Sequence, residues 1–300
     1  MRLWLLGAMG MLGSAFREEL ARLGAPFEAT DREVDIAELD ALRAFAKNRG
    51  FSHVLNCAGY TRVDDAEADE EEAFRINSLG AGNVACVAAE NGATVLHFST
   101  DYVFDGYSRE AYRETDPCAP LSAYGRSKLD GERRFLINSR ANSQPGPHAY
   151  VVRTSWLFGM GGKNFVTTIL GLLANQDSLR VVEDQVGRPT YCPDLCDATL
   201  RLLGLAGPPR PRPRSGVYHF ANAGSTSWHG FASEIFALAK SRGFPVRASG
   251  IEAIKTKDFP RPALRPAQSV LNTERAEAAL QARPRPWQIA LAEYIDRLKQ

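Results

Sequence analysis

The stretch that decides the fold lies at the N-terminus and reads Leu3-Trp4-Leu5-Leu6-Gly7-Ala8-Met9-Gly10-Met11-Leu12-Gly13. Its first four residues form a short apolar run of the buried-strand type, and a helical pattern follows the glycines as far as Arg22. A strand, a glycine-rich turn and a helix in this order can hold dinucleotide phosphates at the positive helix N-terminus. The spacing is GxxGxxG rather than GxGxxG, and glycine turns also close strands for structural reasons alone. The stretch therefore indicates a dinucleotide site without establishing one.

Each glycine of the turn has its own expected role. Gly7 would allow the tight turn, Gly10 would let the backbone approach a pyrophosphate, and Gly13 would let the helix pack closely on the strand.

Short apolar runs and helical patterns alternate through the first half of the chain. Further strands are predicted at residues 27–30, 53–56, 94–99 and 149–154, with helices between them. The helix after the third strand is expected to run through Asn77 to Asn91, and the acidic residues 64–72 before it are expected to form a solvated loop and first helical turn. This alternation predicts an α/β fold with a parallel sheet and right-handed crossovers.

The second strand ends in Asp31-Arg32, two residues with opposite implications for a bound cofactor. A carboxylate here could accept hydrogen bonds from an adenosine ribose, as in NAD enzymes, whereas an arginine could hold a 2′-phosphate. The choice between NAD and NADP stays open, and Arg32 could equally be a solvated loop charge. Asp35 is predicted to be the N-cap of a helix that runs to about Asn48.

Hydroxyl and carboxyl groups cluster where the fourth strand ends, at Ser99, Thr100 and Asp101. Ligands of open α/β sheets bind at this carboxyl edge. On the helix that follows, Tyr124 and Lys128 are four residues apart and share a face. A positive charge beside a phenol lowers its pKa, which suits the tyrosine to proton transfer. A bare YxxxK is also common on surface helices, so the surrounding motifs must decide.

Composition excludes several classes of protein. The 300 residues are 44% hydrophobic and 24% charged with a net charge of +1, which gives no reason to expect nucleic acid or a membrane surface as a partner. No apolar run approaches the ~20 residues of a membrane span. The five cysteines lack CxxC spacing and the five histidines are scattered. We therefore expect reduced thiols, a cytoplasmic location and no metal.

The second half has looser patterns. Helices are predicted at residues 164–175, from about 191 to 205, at 228–242 and at 287–299, with a late strand at 217–220. Residues 184–190 are predicted to be a turn-rich connection, and breaks in regular structure are predicted at the proline-containing segments 145–147 and 207–214.

With these residues placed, the chain resembles the dTDP-4-dehydrorhamnose reductase family of the extended short-chain dehydrogenase/reductase superfamily. The resemblance covers essentially the whole chain. It rests on the following blocks: Gly7-x-x-Gly10-x-x-Gly13, residues 56–61, Ser99-Thr100-Asp101-Tyr102-Val103-Phe104, Tyr124-Gly125-x-Ser127-Lys128, Arg153-Thr154-Ser155-Trp156, Asn164-Phe165, Asp184-Gln185-x-Gly187-x-Pro189-Thr190, Tyr218-His219 and Arg265-Pro266-x-x-Ser269-x-Leu271-Asn272.

The resemblance implies an α/β fold built on a Rossmann-type doubly wound parallel sheet with a smaller C-terminal α/β substrate domain. The dinucleotide-binding domain would span residues 1–155, with 186–222 returning to it. Residues 156–185 and 223–300 would form the domain that binds a nucleotide sugar. The implied reaction is NADPH- or NADH-dependent reduction of the 4-keto group of dTDP-6-deoxy-L-lyxo-4-hexulose to give dTDP-L-rhamnose.

The family's catalytic residues carry over to Thr100, Tyr124 and Lys128. Tyr124 would protonate the C4 oxygen, Lys128 would lower the Tyr124 pKa and bind the nicotinamide ribose, and Thr100 would orient the sugar oxygen. Besides Thr100, the substrate contacts implied are Asp101, Tyr102 and Trp156. The cofactor contacts implied are Gly7, Gly10, Met11, Leu12, Gly13, Asp31, Arg32, Asp35, Ile36, Gly59, Tyr60, Thr61, Tyr124 and Lys128.

Three alternatives stay open. The first is a 4-ketoreductase that makes another deoxysugar nucleotide. The second is a non-catalytic NADP-binding subunit like the beta subunit of methionine adenosyltransferase, although the complete Thr100, Tyr124 and Lys128 set favours an enzyme. The third is an epimerase or dehydratase, which the sequence favours least because Asp101 is followed by Tyr102 rather than Glu. A monomer and a homodimer both stay open. The resemblance includes members that pair through metal-bound carboxylates early in the first helix, but Ser14-Ala15 follow Gly13 here, which argues against that mode of pairing.

Overall fold

A computed structural model describes residues 2–139, 147–208 and 211–299. Most of the predicted break at 145–147 and part of the 207–214 segment therefore lie outside the described residues. The strands are β1 (Leu3–Leu6), β2 (Phe27–Thr30), β3 (His53–Asn56), β4 (Thr94–Thr100), β5 (Ala149–Thr154), β6 (Leu157–Phe158), β7 (Leu179–Val182), β8 (Val186–Gly187), β9 (Thr190–Tyr191), β10 (Gly216–His219), β11 (Thr226–Ser227) and β12 (Ile251–Ile254). The helices are α1 (Met11–Arg22), α2 (Leu39–Ala46), α3 (Glu70–Phe74), α4 (Ala81–Glu90), α5 (Ala123–Asn138), α6 (Phe165–Asn175), α7 (Cys192–Leu202), α8 (Trp228–Ser241), α9 (Glu274–Leu280) and α10 (Trp287–Arg297).

Six parallel strands form the central sheet in the order β2-β1-β3-β4-β5-β10. Consecutive side chains of β1 alternate between two cores, so both faces of the sheet are covered. Leu3 and Leu5 pack with α1 and α7, whereas Trp4 and Leu6 pack with α2, α4 and α5. The strand order reverses between β1 and β3, and the carboxyl ends of those strands form the crevice in which such sheets bind ligands. The predicted doubly wound α/β fold is confirmed.

A second core lies between α6, α8 and α10, beside the two-stranded sheet β7–β12. Its centre is aromatic, with the Phe158 ring in contact with both Phe231 and Tyr294. Helix α9 is different, because its Ala276 and Leu280 join the core of the central sheet. The domain boundaries proposed above stay a prediction.

Two local predictions in the first half are wrong. Helix α2 begins at Leu39 and not at Asp35, because the Asp35 carboxylate accepts from the Ala37 N–H at 2.9 Å and closes a turn instead. The helix expected through Asn77 is interrupted by a π-helical turn, Arg75–Gly80. Such turns displace the side chains that follow, and they occur frequently at functional sites.

The short strands β7, β8, β9 and β12 were not predicted either. Each is two to four residues long, too short for a period to show in the sequence. Within the described ranges, no helix is both long and apolar enough to cross a membrane.

Candidate active site

The glycine turn after β1 is held tightly against the end of β3. Gly7 has a φ of +71°, and a Cβ there would lie 2.5 Å from the Ala58 nitrogen. A Cβ on Gly13 would lie 2.1 Å from the Gly7 carbonyl oxygen. Gly10 has more room, since the nearest atom to its Cβ position is 3.4 Å away. Gly7 thus forms the tight turn, Gly13 packs closely on the strand end, and Gly10 leaves the backbone open to approach, each as the sequence predicted.

A cleft of about 780 Å³ opens at the carboxyl ends of β1, β2 and β3. Nine residues predicted to contact a cofactor line it: Gly7, Gly10, Asp31, Arg32, Asp35, Ile36, Gly59, Tyr60 and Thr61. Sequence reasoning missed eight other lining residues: Met9, Val34, Cys57, Ala58, Arg62, Glu72, Arg75 and Ile76. Met9, Cys57 and Ala58 lie in stretches that the sequence singled out without assigning them to the cofactor, whereas the other five carry no motif and reach the cleft only through the tertiary fold.

Five predicted cofactor residues do not line this cleft: Met11, Leu12, Gly13, Tyr124 and Lys128. Leu12 is buried in the core beneath the sheet, and Gly13 packs on Gly7. Met11 faces the second half of the chain, where a Cβ on Gly162 would lie 3.2 Å from its own Cβ. Met11 and Leu12 nevertheless open helix α1, whose N-cap Gly10 supplies no side-chain cap. The first N–H groups of the helix thus have no side chain capping them.

Acidic and basic groups meet at the end of β2. Asp31 accepts from the Met9 N–H at 2.7 Å and the Arg32 N–H at 3.0 Å, which fixes its carboxylate over the glycine turn. Asp35 accepts from the Arg75 guanidinium at 2.8 Å. Burial raises the pKa of Asp35, but its hydrogen bonds from Ala37 and Arg75 outweigh burial and leave the pKa below its ordinary value.

The predicted catalytic hydroxyls come together at the end of β4. Thr100 donates to Asp101 Oδ1 at 3.0 Å and accepts from the Tyr102 N–H at 3.2 Å. Helix α5 begins immediately beside this turn, because Ser122 caps it by accepting from the Gly125 N–H at 3.1 Å. Burial raises the pKa of Tyr124 to about 12, against hydrogen bonding by Thr100. Tyr124 therefore carries its proton at neutral pH.

Lys128 is hydrogen-bonded to β4 in this structure, and the predicted lowering of the Tyr124 pKa by Lys128 stays a prediction. Its Nζ donates to the Phe98 carbonyl at 2.6 Å and lies 3.1 Å from His97 Nε2, so its charge is directed into β4. Burial lowers the pKa of Lys128 itself to about 8. The physical reason is location, since Lys128 is only 5% exposed.

Asp101 and Tyr102 follow Thr100 and lie beside Tyr124. Burial raises the pKa of Asp101 to about 6, opposed by hydrogen bonding from Ser269 and Thr100. The Tyr102 ring contacts Tyr124 edge-on at 5.6 Å between centroids. The C-terminal block around Ser269 thus reaches the catalytic turn, a contact that its sequence does not reveal.

Trp156 lies between β5 and β6 with a φ of +49°, a left-handed conformation that is rare for a large side chain. Its ring stacks on Trp228 at 3.5 Å between centroids, and a Cβ on Gly187 would lie 2.5 Å from the ring. The tryptophan is partly exposed, with one face supported by Trp228. Sequence reasoning missed Trp228, which carries no motif of its own.

Asn77 is a further residue that sequence reasoning missed. From the π-helical turn, its Oδ1 accepts from the Tyr60 N–H at 2.8 Å, and its Nδ2 donates to the Tyr60 carbonyl and to Ser127 Oγ, both at 3.0 Å. Asn77 therefore ties the cleft loop at Gly59 to the helix that carries Tyr124. The π-helical turn places Asn77 at the cleft. Because π-helical turns leave no pattern in the sequence, the sequence could not have indicated this residue.

The cleft fits a dinucleotide on its own geometry. The glycine-rich turn, the N-terminus of the 12-residue helix α1 and a carboxylate at the end of β2 supply the donors and acceptors that a pyrophosphate and a ribose need. Among the described residues there is no group of three or more His, Cys, Asp or Glu side chains suited to a metal ion.

A doubly wound sheet with this cleft, and with a threonine, tyrosine and lysine at its edge, defines the extended short-chain dehydrogenase/reductase class. The family model described as "RmlD substrate binding domain" matches residues 1–300. The chain belongs to that family.

The chain is similar over nearly its whole length to several named reductases. A dTDP-4-dehydrorhamnose reductase from Aggregatibacter actinomycetemcomitans is 37% identical over 295 residues, covering 97% of each chain. A probable dTDP-4,6-dihydroxy-2-methyloxan-3-one 4-ketoreductase from Streptomyces antibioticus is 38% identical, covering 97% of this chain and 93% of the relative. The crystal structure of dTDP-4-dehydrorhamnose reductase from Bacillus anthracis in complex with NADP superposes with a TM-score of 0.88 at 31% identity, covering 99% of each chain.

Proposed function

We propose that this protein is an NADPH- or NADH-dependent reductase of dTDP-6-deoxy-L-lyxo-4-hexulose that gives dTDP-L-rhamnose. The observation that carries the proposal is the convergence of Thr100, Tyr124 and Lys128 beside a dinucleotide cleft in a chain of this family. The dTDP-4-dehydrorhamnose reductases named above match over nearly the full length of both chains.

The proton of the reaction is assigned to Tyr124. Because burial keeps the pKa of Tyr124 near 12, its phenol holds a proton at neutral pH and can give it to the sugar oxygen. Thr100 orients that oxygen, and its own hydroxyl is positioned by Asp101 and the Tyr102 N–H. Trp156, braced by Trp228, offers an apolar wall to the deoxygenated edge of the sugar.

Cofactor binding is assigned to the cleft. Gly10 and the N-terminus of α1 would hold the pyrophosphate, Asp31 and Arg32 the adenosine ribose, and Lys128 the nicotinamide ribose. A reduced nicotinamide supplies the hydride when it is bound. Gly59, Tyr60 and Thr61 are held in place by Asn77 and close the cleft on the β3 side.

The proposal includes the division into domains, the oligomeric state and the cellular location of the protein. Residues 1–155 and 186–222 would bind the cofactor, and the remainder would bind the nucleotide sugar, in a monomer or a homodimer. Nucleic acid and membranes are not proposed as partners, in keeping with the net charge of +1. The five free cysteines support a cytoplasmic location.

The test is a reduction assay with the purified protein. The 4-keto-6-deoxy-L-sugar nucleotide is supplied with NADPH or NADH, cofactor oxidation is followed by absorbance, and the product is identified by NMR. We expect dTDP-L-rhamnose, with no consumption when the sugar is omitted. The proposal is wrong if neither cofactor is consumed while the protein binds both.

A second candidate is a 4-ketoreductase of another dTDP-deoxysugar, favoured by the Streptomyces antibioticus relative at 38% identity. It would use the same Thr100, Tyr124 and Lys128. Competition between the two sugar nucleotides in one assay separates the candidates, since the true substrate has the higher kcat/KM.

A further inference from the structure

The Trp156 ring is in contact with two other parts of the chain, Trp228 and Gly187. The two indole rings lie 3.5 Å apart between centroids with an angle of 8° between their planes, so Trp228 covers one face of Trp156. A Cβ on Gly187 would lie 2.5 Å from Cε2, 2.7 Å from Cζ2 and 2.8 Å from Nε1 of the Trp156 ring. Because Cε2 is bonded to the other two atoms and is the nearest of the three, Gly187 lies over a face of the ring and not beside its edge.

Gly187 and Trp228 cover opposite faces of this indole. If they shared a face, atoms of the Trp228 ring would be the nearest neighbours of a Cβ on Gly187, whereas the three nearest atoms all belong to Trp156. Trp156 is nevertheless partly exposed. The part of its ring that a ligand can reach is therefore an edge.

The backbone of Trp156 depends on its surroundings. A φ of +49° is strained for a residue with a large side chain, and such a conformation persists only where neighbouring groups hold it. The Thr190 N–H donates to the Trp156 carbonyl at 3.2 Å, and Ser155 Oγ donates to the Arg188 carbonyl at 2.7 Å. Both hydrogen bonds tie the strained residue to the segment that follows Gly187.

Trp228 is held at a fixed distance from Gly187. The strand β11, which leads into Trp228, pairs with β8, which carries Gly187. Ser227 then caps helix α8, and the Phe165 ring contacts Trp228 at 4.6 Å between centroids. Strand pairing therefore sets the width of the slot in which the Trp156 ring lies.

Strand β8 also supports the turn at the end of β4. The Val186 N–H donates to the Ala267 carbonyl at 2.8 Å, and the Val186 carbonyl accepts from the Ser269 N–H at 2.8 Å. The Ser269 side chain in turn acts on the Asp101 carboxylate by hydrogen bonding. One strand thus supports both the slot around Trp156 and the block that reaches the predicted substrate contacts.

We propose that Trp228 and Gly187 are positioning residues for the sugar of the substrate, because together they hold the Trp156 indole with its edge toward the sugar. The inference rests on the proposed function for the identity of that sugar. Trp228 acts by supporting one face, and Gly187 acts by having no side chain at the other. Removing the support or adding a methyl group should therefore displace the same ring.

NMR of the protein without ligands tests the geometry. The ring protons of Trp156, observed with ¹³C-labelled tryptophan and assigned with Trp156→Phe, should be shifted upfield because they lie over the face of the Trp228 ring. Trp228→Leu should remove this shift. Unshifted Trp156 protons in the unchanged protein would overturn the enclosure, whether or not the variants fold.

Calorimetry in the presence of NADP⁺ tests the role. The ratio of the Kd for dTDP to the Kd for dTDP-L-rhamnose measures what the sugar contributes to binding. We expect Trp228→Leu and Gly187→Ala each to reduce this ratio about five- to tenfold, with the Kd for dTDP unchanged. Trp228→Phe keeps an aromatic ring in place and should retain most of the ratio.

Two variants serve as matched controls. Phe236→Leu removes a partly exposed aromatic ring from the same helix, α8, and Gly250→Ala adds a methyl group where no described atom lies within 4 Å. Both should keep the ratio of the unchanged protein. An unchanged ratio in folded Trp228→Leu or Gly187→Ala would overturn the positioning role, and so would an equal loss of dTDP and dTDP-L-rhamnose binding.

This proposal and the proposed function fail in different ways. If the protein neither binds dTDP-L-rhamnose nor reduces the 4-keto sugar, the proposed function is wrong and the positioning role falls with it. If the sugar is reduced while Trp228→Leu leaves the ratio unchanged, the proposed function stands and only the positioning role is wrong.

Discussion

Burial affects the pKa of Tyr124, the proposed proton donor, more than neighbouring charges do. Tyr124 lies beside Thr100 at the end of β4, while the Lys128 nitrogen turns away to Phe98 and His97. A phenol with a pKa near 12 gives up its proton only when a stronger base, such as a developing alkoxide, is in contact with it. The residue chemistry therefore favours reduction.

Replacing the tyrosine tests this role. Tyr124→Phe keeps the ring contact with Tyr102 and removes only the hydroxyl. We expect kcat to fall by about 10²- to 10⁴-fold, with the Kd for NADPH nearly unchanged. Tyr107→Phe is the matched control, because Tyr107 is 78% exposed and should keep full activity. Near-normal turnover of Tyr124→Phe would remove it from the role of proton donor.

Arg32 is the residue expected to distinguish NADPH from NADH. It lies in the cleft beside Asp31, where a guanidinium could form charge-assisted bonds to a 2′-phosphate. Arg32→Ala should raise the KM for NADPH about tenfold and change the KM for NADH little. Arg109→Ala, at an exposed loop position, serves as the control. Equal effects on both cofactors would show that Arg32 does not read the phosphate.

At the scale of elements, close backbone contacts bring the helices to the site. Helix α5 approaches the π-helical turn so closely that a Cβ on Gly131 would lie 2.0 Å from the Asn77 carbonyl oxygen. That contact keeps Asn77 within reach of Ser127 and of the Tyr60 backbone. The helix interior thus tolerates a glycine where geometry requires one.

Replacing either of two helical glycines, Gly131 and Gly171, by alanine should change the free energy of unfolding in opposite directions. Gly171 lies in the interior of α6 with nothing within 4 Å of its Cβ position, so Gly171→Ala should stabilise the fold by about 0.5–1 kcal/mol. Gly131→Ala should destabilise it by about 1–3 kcal/mol through overpacking. Urea unfolding followed by circular dichroism measures both. Equal effects of the two variants would mean that helix propensity alone decides.

At the scale of the molecule, the acidic segment after β3 connects the first half of the chain to the C-terminal block around Arg265. The sequence predicted a solvated loop and first helical turn here, and α3 does begin at Glu70. Asp64 is not solvated, because it accepts from Arg261 and Arg265 at 2.7 and 2.9 Å. Glu67 accepts from the Ala123 N–H at 2.8 Å, at the start of α5. Since Arg265 lies near Ser269, Asp64 anchors the block that reaches Asp101.

The Asp64 anchor should depend on pH with a definite sign. Burial raises its pKa, but the hydrogen bonds from Arg265, Ala263 and Arg261 outweigh burial and lower the pKa to about 2. A depressed carboxyl pKa adds stability above the unfolded value of ~3.9 that is lost as the pH falls toward 2. Asp64→Asn should therefore lose stability near neutral pH and show a flatter dependence between pH 4 and 2. Urea midpoints across this range measure the effect.

The same variant should affect the sugar more than the cofactor. We expect Asp64→Asn to raise the KM for the nucleotide sugar by roughly fivefold, about 1 kcal/mol, with the Kd for NADPH unchanged. Asp177→Asn breaks the exposed pair with Arg247 and serves as the control, because that carboxylate is 81% exposed. An unchanged KM in Asp64→Asn would show that the anchor does not support the substrate site.

The sequence by itself determined the doubly wound sheet, because hydrophobic period and glycine spacing are local properties of β1 and α1. It also pointed to Thr100, Tyr124 and Lys128, since strand ends and a helical spacing of four can be read along the chain. Only the tertiary structure decided how these groups are charged. The pKa values of Tyr124 and Lys128 depend on burial, and Lys128 is held by His97 and the Phe98 carbonyl of β4. Desolvation and long-range hydrogen bonds are properties of the folded environment, and no local pattern encodes them.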